Sequence, residues 1–514
     1  MVELTITVYS HHFEVTRISP RGRRVVEDFA RRYIEYTLRK RRGRPGFDEV
    51  PDCVFAASNA DRTQYRFHAA QMEEFKNHLR VFDLVHPDAI EWIEVPLYEP
   101  LGVDLLIQEG WLPKEKYKQA DAIAFMERTE PPRKLLGMHT GYGKSFCTMQ
   151  AVANISTLSV WSVQAKFLEK TRLDMLRTLQ VELEDIIVVR DTKDLKLLLL
   201  KTMQGPIDCK IVLISSKLIQ IWISLYEKVG KAIEGVGYSC MPQEFYPLLR
   251  AGVRVIDEVH MEFHFNFKQD LYTHVPQSIS LSATMISDSR FRNQMYMLTY
   301  PLSCRFEVPY IPFISATAIS YQFETPDRIR VLGRQGMYSH YVFEDSVMKN
   351  KKVLANYVKM IKFITEIEFV RDHREGESMV VYAASVEFCT YLVEEFRKTW
   401  SDLRIERYCG SINDPYENLI NAQLVVTTLG SAGTNVDIPK LKCVLLTTSV
   451  DSTQGNIQGA GRLRDDKLEA GRAARFVWLY CEQVGRHVAY HNKKMGLLRP
   501  RALKLNEQSY SELL

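Results

Sequence analysis

Two stretches of this 514-residue chain place reactive side chains at spacings that chemistry can use. The first, "RKLLGMHTGYGKSFCTMQAVA" from Arg133, runs from an apolar strand pattern through a glycine-containing loop into a helical pattern. Gly141 and Gly143 free the backbone to curl around anionic oxygens. The loop N–H groups and the helix N-terminus supply positive partial charge, and Lys144 can reach terminal phosphates. Thr140, Tyr142 and the same two glycines are the candidate phosphate cradle, and Ser145 offers a hydroxyl to Mg²⁺. Alone, such a string also fits an ordinary glycine turn before a helix. The second stretch, "GVRVIDEVH", ends an apolar strand in Asp257, Glu258 and His260. Ligands of open α/β sheets sit at the carboxyl ends of strands. There Asp257 can hold Mg²⁺ while Glu258 orients or deprotonates an attacking water. In isolation this is also an acidic turn closing a strand.

Such groups must be held by a sheet, and the chain has the pattern for two. Val/Ile/Leu-rich runs at 134–138, 158–162, 186–190, 210–215, 253–257 and 278–282 alternate with helical stretches. After a less regular stretch near 286–345 the alternation resumes at 379–383, 404–408, 423–427, 442–447 and 475–480. This is the pattern of parallel sheets covered on both faces by helices. Ahead of them lie two strand patterns, Leu4 to Val8 and Phe13 to Ile18, and a helical run from Arg21 to Lys40 with Val25, Phe29, Ile34 and Leu38 as its apolar stripe. An amphipathic run spans Gln71 to Phe82. The expected fold class is α/β, with two successive parallel-sheet domains preceded by a small basic α+β domain. The expected divisions are 1–105, 106–315 and 316–514.

Composition agrees with a folded, multi-domain chain. A hydrophobic fraction of 46% with 25% charged residues excludes disordered and collagenous classes. The formal net charge is only +4, so any affinity for polyanions must be local. It is concentrated between residues 17 and 44, where eleven cations face three carboxylates. Arg21, Arg23, Arg24, Arg39, Lys40, Arg41 and Arg42 are the candidate phosphate-backbone contacts, with a solvated helix face as the plainer reading. The nine cysteines are scattered with no C-x-x-C pair, which speaks against a disulfide framework or structural zinc and for buried thiols in a reducing cytoplasm. Neither a signal peptide nor a membrane span is evident, so no membrane partner is expected.

In their order along the chain these segments resemble superfamily 2 helicases and translocases of the DExH type, over residues 100–485. "HTGYGKS" is similar to motif I, "DEVH" to motif II, and "LSATM", with Ser282, Ala283 and Thr284, to motif III, which together with His260 couples the nucleotide to movement. "KYKQADAI" puts Gln119 where the family has an adenine-reading glutamine. "KIVLISSKLIQ" resembles a segment whose Ser215 and Ser216 would touch a nucleic-acid backbone. In the second half "MVVYAASVEFCTYLVEEF" resembles motif IV. "VVTTLGSAGTNVDIP", with Thr428 toward nucleic acid and Gly433 and Asp437 toward the nucleotide, resembles motif V. "QGAGRLR" is similar to motif VI and supplies Gln458, Arg462 and Arg464 as catalytic candidates from the second domain. Asp465 stands where the family's last arginine is expected, so the finger is either Arg462 or Arg464. Met138 and His139 depart from motif I, and "GTNVD" spaces Gly433 and Asp437 widely.

DEVH in place of DEAD, with no P-T-R-E-L-A-like segment, makes the phage recombination helicases of the UvsW type the nearest resemblance, with XPB and RecG enzymes more distant. That resemblance implies an α/β fold with two tandem RecA-like parallel-sheet domains preceded by a small basic α+β domain, and an ATP- and Mg²⁺-dependent motor on single-stranded and branched duplex DNA. It also implies a cytoplasmic protein of a bacterial or phage-infected cell, monomeric, with single-strand-binding or recombination proteins as partners. An RNA-dependent DExH ATPase, a restriction or defence motor subunit, and a non-catalytic nucleic-acid-binding protein are the other readings. Deleting the first 100 residues is expected to spare the ATPase, because the motifs lie after residue 117.

Overall fold

Apolar runs bounded by glycine, proline and polar residues become strands wherever helices cover both faces of the sheet they form. The computed structural model describes residues 2–514 apart from 42–45, 60, 83–88, 140, 284, 286, 288, 334–335, 410–415, 433–437, 439–440, 450, 452–455, 457–459, 462 and 464–472. It divides into two compact units, Met1–Met285 with Ser289–Val308, and Ile286–Asp288 with Pro309–Leu514.

The first unit holds a seven-stranded parallel sheet in the order Ile186–Val189, Ile211–Ser215, Ser159–Val163, Val253–Ile256, Gln277–Ser282, Arg133–Gly137, Arg305–Glu307. The second holds another, also parallel, in the order Ile405–Tyr408, Leu424–Thr428, Ser378–Ala383, Leu441–Leu446, Ala474–Cys481, Ile314–Tyr321, Ala502–Ser509. These are the two parallel sheets expected from the alternating pattern and the tandem RecA-like domains that the resemblance implies. Leu135, Val160, Val212 and Ile256 are buried in the first sheet, and Val381, Leu424 and Leu445 in the second. Seven of the nine thiols are buried; Cys53 and Cys409 are half-buried.

Ahead of the first parallel sheet lies a five-stranded mixed sheet, Ala57–Ser58, Tyr65–His68, His12–Thr16, Leu4–Val8, Ile90–Glu94. Helices Pro20–Arg31 and Met72–Val81 accompany it. Ser19 starts the first helix by accepting from Gly22 N, Pro20 occupies its first turn, and Val25, Val26 and Phe29 face the core. The helix ends at Arg31 and does not run on to Lys40: Ile34–Lys40 is a strand, paired antiparallel with Phe47–Val54 in a separate two-stranded ribbon. Ile34 and Leu38 are four residues apart, a spacing that satisfies a helical period and a strand period equally. Tyr36 between them makes the alternation strand-like.

The mixed sheet and the first parallel sheet share one continuous apolar core. They also share a buried polar network. Arg254, on the strand leading to Asp257, is fully buried and pairs with Asp270, while its other nitrogen donates to Gln269 Oε1 at 3.1 Å. Asp270 in turn meets His68 Nε2 at 3.2 Å. Burial alone would push the Asp270 carboxyl up, but Arg254 and His68 hold it well below the usual carboxylate range. Arg133, at the start of the strand Arg133–Gly137, donates to Ser10 O (3.2 Å), and Ser10 Oγ accepts from Val275 N (3.0 Å).

This geometry sets a structural cost against the expectation that deleting the first 100 residues spares the ATPase. Removing them takes His68 and Ser10 from charged groups that then face water, and uncovers Phe263 and Phe267, on which Phe55 packs. The truncated chain is expected to lose the cooperative unfolding transition of the first unit. The milder His68→Ala should cost on the order of 1–3 kcal/mol, as for a buried partner left unmatched. Thermal unfolding of both variants checks this; a truncated protein with the full-length transition would contradict it.

Candidate functional site

The order of the first parallel sheet decides which groups meet. Gln277–Ser282 lies between Arg133–Gly137 and Val253–Ile256, so three strand ends open side by side: the glycine-containing loop after Gly137, Asp257 and Glu258 after Ile256, and Ser282. Asp257 N donates to Ser162 O at 3.1 Å and Val259 N to Leu281 O at 2.9 Å, tying the acidic turn to its neighbours.

The loop after Gly137 needs its glycines. Gly141 and Gly143 adopt φ of +90° and +86°, the left-handed region that side chains disfavour. A Cβ on Gly143 would also collide with Gln119 Nε2. Gly143 leads directly into the helix Lys144–Ile155, whose N-terminal N–H groups face the loop. Lys144 is buried and its Nζ stands 3.4 Å from Glu258 Oε1. Ser145, one residue on, is exposed.

Gln119 braces this loop. Its Oε1 accepts from Lys114 N (2.7 Å) and its Nε2 donates to Tyr142 O (2.8 Å). Each amide atom keeps a second hydrogen-bonding position. Tyr117 stacks on Tyr142 with centroids 4.4 Å apart, and Trp111 stacks on Phe146 at 5.5 Å. Neither stack was legible in the sequence. The available signal was the clustering of Trp111, Tyr117 and Tyr142 around the glutamine and the loop.

Glu258 is held at φ +49°, a conformation that costs a non-glycine residue about 1–3 kcal/mol and recurs at functional sites. Its Oε2 lies 3.3 Å from His260 Nδ1, which shares a 2.9 Å hydrogen bond with Ser282 Oγ. Burial keeps the His260 imidazole below its usual range and therefore neutral near pH 7. Burial and the adjacent Glu258 push the Asp257 carboxyl up to about 6, with Lys144 acting in the opposite direction. Lys144, Glu258, His260 and Ser282 thus form one unbroken polar line across the three strand ends. Ala283, beyond Ser282, is half-buried.

The other expected residues are distributed more widely. Ser215 and Ser216, at the junction of Ile211–Ser215 and the helix Ser216–Val229, are only 2% and 8% exposed. Thr428 ends a strand of the second unit, with its hydroxyl 2.9 Å from Ser431 Oγ. Arg21, Arg23, Arg24 and Arg39 are exposed; Arg23 bridges to Glu27 at 3.3 Å, and Arg41 donates to Asp48 at 2.7 Å. Lys40 closes its strand. Thr140, Thr284, Arg42, Gly433, Asp437, Gln458, Arg462 and Arg464 lie outside the described residues.

The donor set at the first-unit strand ends suits a hard divalent cation: a hydroxyl at Ser145 and a half-buried carboxylate at Asp257, both oxygen ligands. Among the described residues one further group, Glu35, Asp52 and Cys53, has ligand atoms within 4.8 Å of one another. Arg292 already supplies its positive charge, 2.9 Å from Glu35 and 3.9 Å from Asp52. No described helix is long and apolar enough to cross a membrane.

No family model matches the sequence, and no curated protein is significantly similar to it. Among solved structures the chain is similar to the ATP-dependent Type ISP restriction-modification enzyme LlaBIII bound to DNA, at 11% identity and a TM-score of 0.51, over 84% of this chain and 36% of that one. It is also similar to S. cerevisiae Dbp5 bound to RNA and ADP BeF3 (10% identity, TM-score 0.48, 76% of this chain and 89% of that one). A third is Mycobacterium smegmatis helicase Lhr bound to ssDNA and AMP-PNP (14%, 0.45, 76% and 48%). At these identities the likeness is one of fold.

Proposed function

We propose that this chain is an ATP-hydrolysing nucleic-acid motor of the superfamily 2 type that moves along DNA and remodels branched duplexes such as forks, D-loops and Holliday junctions. The observation that carries the reading is the polar line Lys144–Glu258–His260–Ser282, laid across the strand ends beside a glycine loop at a helix N-terminus. Backbone N–H groups from Thr140 to Gly143 and the Lys144 ammonium bind the substrate's phosphates. Gln119 reads adenine with its remaining hydrogen-bonding positions while it braces Tyr142. Ser145 and Asp257 would hold Mg²⁺, which would supply positive charge against the terminal phosphates. Glu258 accepts the proton of the attacking water. His260, Ser282, Ala283 and Thr284 relay the state of the nucleotide into the rest of the unit.

From the second half, Gln458, Arg462 and Arg464 contribute to hydrolysis, and Gly433 and Asp437 to nucleotide binding. Thr428 and the segment at Ser215 and Ser216 touch the track through its phosphates, which leaves sequence preference weak. The burial of both serines leaves little hydroxyl for a strand, so we assign the greater share to Thr428 and the exposed arginines. Residues 1–105 act as a basic module on duplex DNA through Arg21, Arg23, Arg24, Arg39, Lys40, Arg41 and Arg42. The setting is the cytoplasm of a bacterial or phage-infected cell, where the protein works as a monomer alongside single-strand-binding or recombination proteins.

ATP-driven regression of a model replication fork, scored against Holliday-junction migration and against a matched RNA fork, tests the substrate. Regression of DNA only is expected; equal or greater activity on RNA moves the assignment to an RNA-dependent motor. In the same full-length protein, alanine at Arg21, Arg24 and Arg39 should flatten the dependence of log K on log salt by about 0.9 per lost phosphate contact on duplex DNA. An unchanged slope leaves these arginines as a solvated face.

A further inference from the structure

The second unit has a buried polar line of its own, built mainly from Tyr338, His340, Glu344 and His487, which belong to none of the expected motifs. In its sheet the strands Ser378–Ala383, Leu441–Leu446 and Ala474–Cys481 are neighbours in that order, so their carboxyl ends open side by side. The helix His340–Lys349 meets them with two side chains. Glu344 is only 1% exposed, and its carboxylate takes three hydrogen bonds from the turn after Ser378–Ala383: Ala384 N to Oε1 (2.8 Å), Ser385 N to Oε2 (2.9 Å) and Ser385 Oγ to Oε2 (3.0 Å). Ser385 also caps the next helix, Val386–Thr399, by accepting from Phe388 N. Burial pushes the Glu344 carboxyl up to about 7, and the donors at Ala384 and Ser385 act in the opposite direction. A buried carboxyl is tolerated only with its partners in place, so Glu344 and this turn fix one another.

One turn earlier on the helix, His340 Nδ1 accepts from Ser449 N (3.0 Å), at the start of the segment that runs on to Gln458, Arg462 and Arg464. Burial keeps this imidazole neutral, so its proton sits on Nε2, 3.8 Å from Glu344 Oε1. Tyr338 Oη lies 2.6 Å from His340 Nδ1 and 2.5 Å from His487 Nε2, and His487 Nδ1 accepts from Cys481 N (3.1 Å). Ser385, Glu344, His340, Tyr338 and His487 thus join the ends of all three strands. The segment after Ser449 is fastened further on as well: Lys493 Nζ donates to Asp451 Oδ1 (3.1 Å), and Ala460 and Leu463, on either side of Arg462, are buried. A group carried by that segment takes its place from a frame in which His340 is one of the fixed points.

We propose that His340 and Glu344 are positioning residues for hydrolysis: Glu344 fixes the Ala384–Ser385 turn, and His340 fixes the start of the segment that carries Gln458, Arg462 and Arg464. This rests on the motor reading given above, in which those three residues contribute to hydrolysis, and adds to it the groups that set them in place.

The test uses the full-length protein with single-stranded DNA and measures kcat and KM for ATP, with thermal unfolding recorded beside them. His340→Leu removes the acceptor of Ser449 N, whereas His340→Asn restores one, its side-chain oxygen standing close to the place of Nδ1. His340→Leu should lower kcat by up to about 10²-fold, the cost of a reacting group misplaced by about 1 Å, with KM near the wild-type value, and His340→Asn should recover most of the loss. Glu344→Gln, which turns one acceptor into a donor against the same N–H groups, should lower kcat in the same way. Tyr338→Phe deletes one hydroxyl, keeps the ring and should have a smaller effect of the same kind; it carries the test where a bolder variant loses its unfolding transition. An unchanged kcat in the folded variants, equal losses in His340→Leu and His340→Asn, or a loss expressed in KM overturns the proposal. Arg462→Ala and Arg464→Ala, measured alongside, separate the two failures. If either lowers kcat while the His340 and Glu344 variants do not, the positioning role fails and the motor reading stands. If neither lowers it, the hydrolytic role of the segment fails, and the positioning role with it.

Discussion

Glu258→Gln should lower the rate of ATP hydrolysis by about 10²- to 10⁴-fold, the usual contribution of a positioned general base, while nucleotide binding survives. The amide keeps the size of the carboxylate, so Lys144, 3.4 Å away, and His260, 3.3 Å away, keep a polar neighbour. It cannot accept a proton from water. A second consequence follows from charge. Glu258 is one of the groups pushing the Asp257 carboxyl up, so its neutralisation returns Asp257 toward the ordinary carboxylate range. Mg²⁺-dependent nucleotide binding by the variant should then equal or exceed that of the wild type. Lys144→Ala should fail differently, because it removes the cation that binds phosphate and leaves Glu258 without its ion-pair partner. Nucleotide affinity drops together with turnover. Binding of a fluorescent nucleotide measured beside single-turnover hydrolysis separates the two variants. Wild-type turnover in Glu258→Gln, or undiminished affinity in Lys144→Ala, contradicts the assigned roles.

The second large effect is expected at Arg462 and Arg464. An arginine that reaches the transferring phosphoryl group stabilises charge that develops only in the transition state, and such a group contributes about 10³- to 10⁵-fold in rate. Alanine at the responsible position should therefore leave nucleotide affinity near the wild-type value and collapse kcat. Alanine at the other should have a smaller effect, which decides which of the two is the finger despite Asp465 in the family's usual place. Because these residues belong to the second half of the chain and Lys144 to the first, a loss confined to kcat also shows that hydrolysis requires both halves. If neither substitution affects kcat, no arginine of this segment takes part.

The sequence displayed the elements whose physics is local and concealed those decided at a distance. The strands Val253–Ile256, Gln277–Ser282 and Leu424–Thr428 are short apolar runs buried on both faces, and each is expected within a residue or two of its observed bounds. Ala502–Ser509 escaped notice because an edge strand exposes most of its side chains and carries no apolar run. Ile314–Tyr321 fell in the irregular stretch, since its small residues alternate too weakly to stand out. The ribbon at Ile34–Lys40 was misread through a spacing common to helix and strand. The candidate site was legible to the extent that its motifs carry their own chemistry: Lys144, Asp257, Glu258, His260 and Ser282 converge as their order implies. The seating of the first 100 residues was not. It depends on His68, Asp270 and Arg254, three charged or titratable residues far apart in sequence that tolerate burial only because they meet one another.

The central claim, that the site at Lys144 and Glu258 drives movement on nucleic acid, is tested most directly by one measurement. Steady-state ATP hydrolysis is recorded for the full-length protein alone and with single-stranded, duplex and branched DNA and matched RNA, with Glu258→Gln as the control. The account expects slow hydrolysis without nucleic acid, strong stimulation by DNA with the branched substrate foremost, and none of it in Glu258→Gln. Hydrolysis indifferent to every nucleic acid, or stimulated equally in the control, would contradict it.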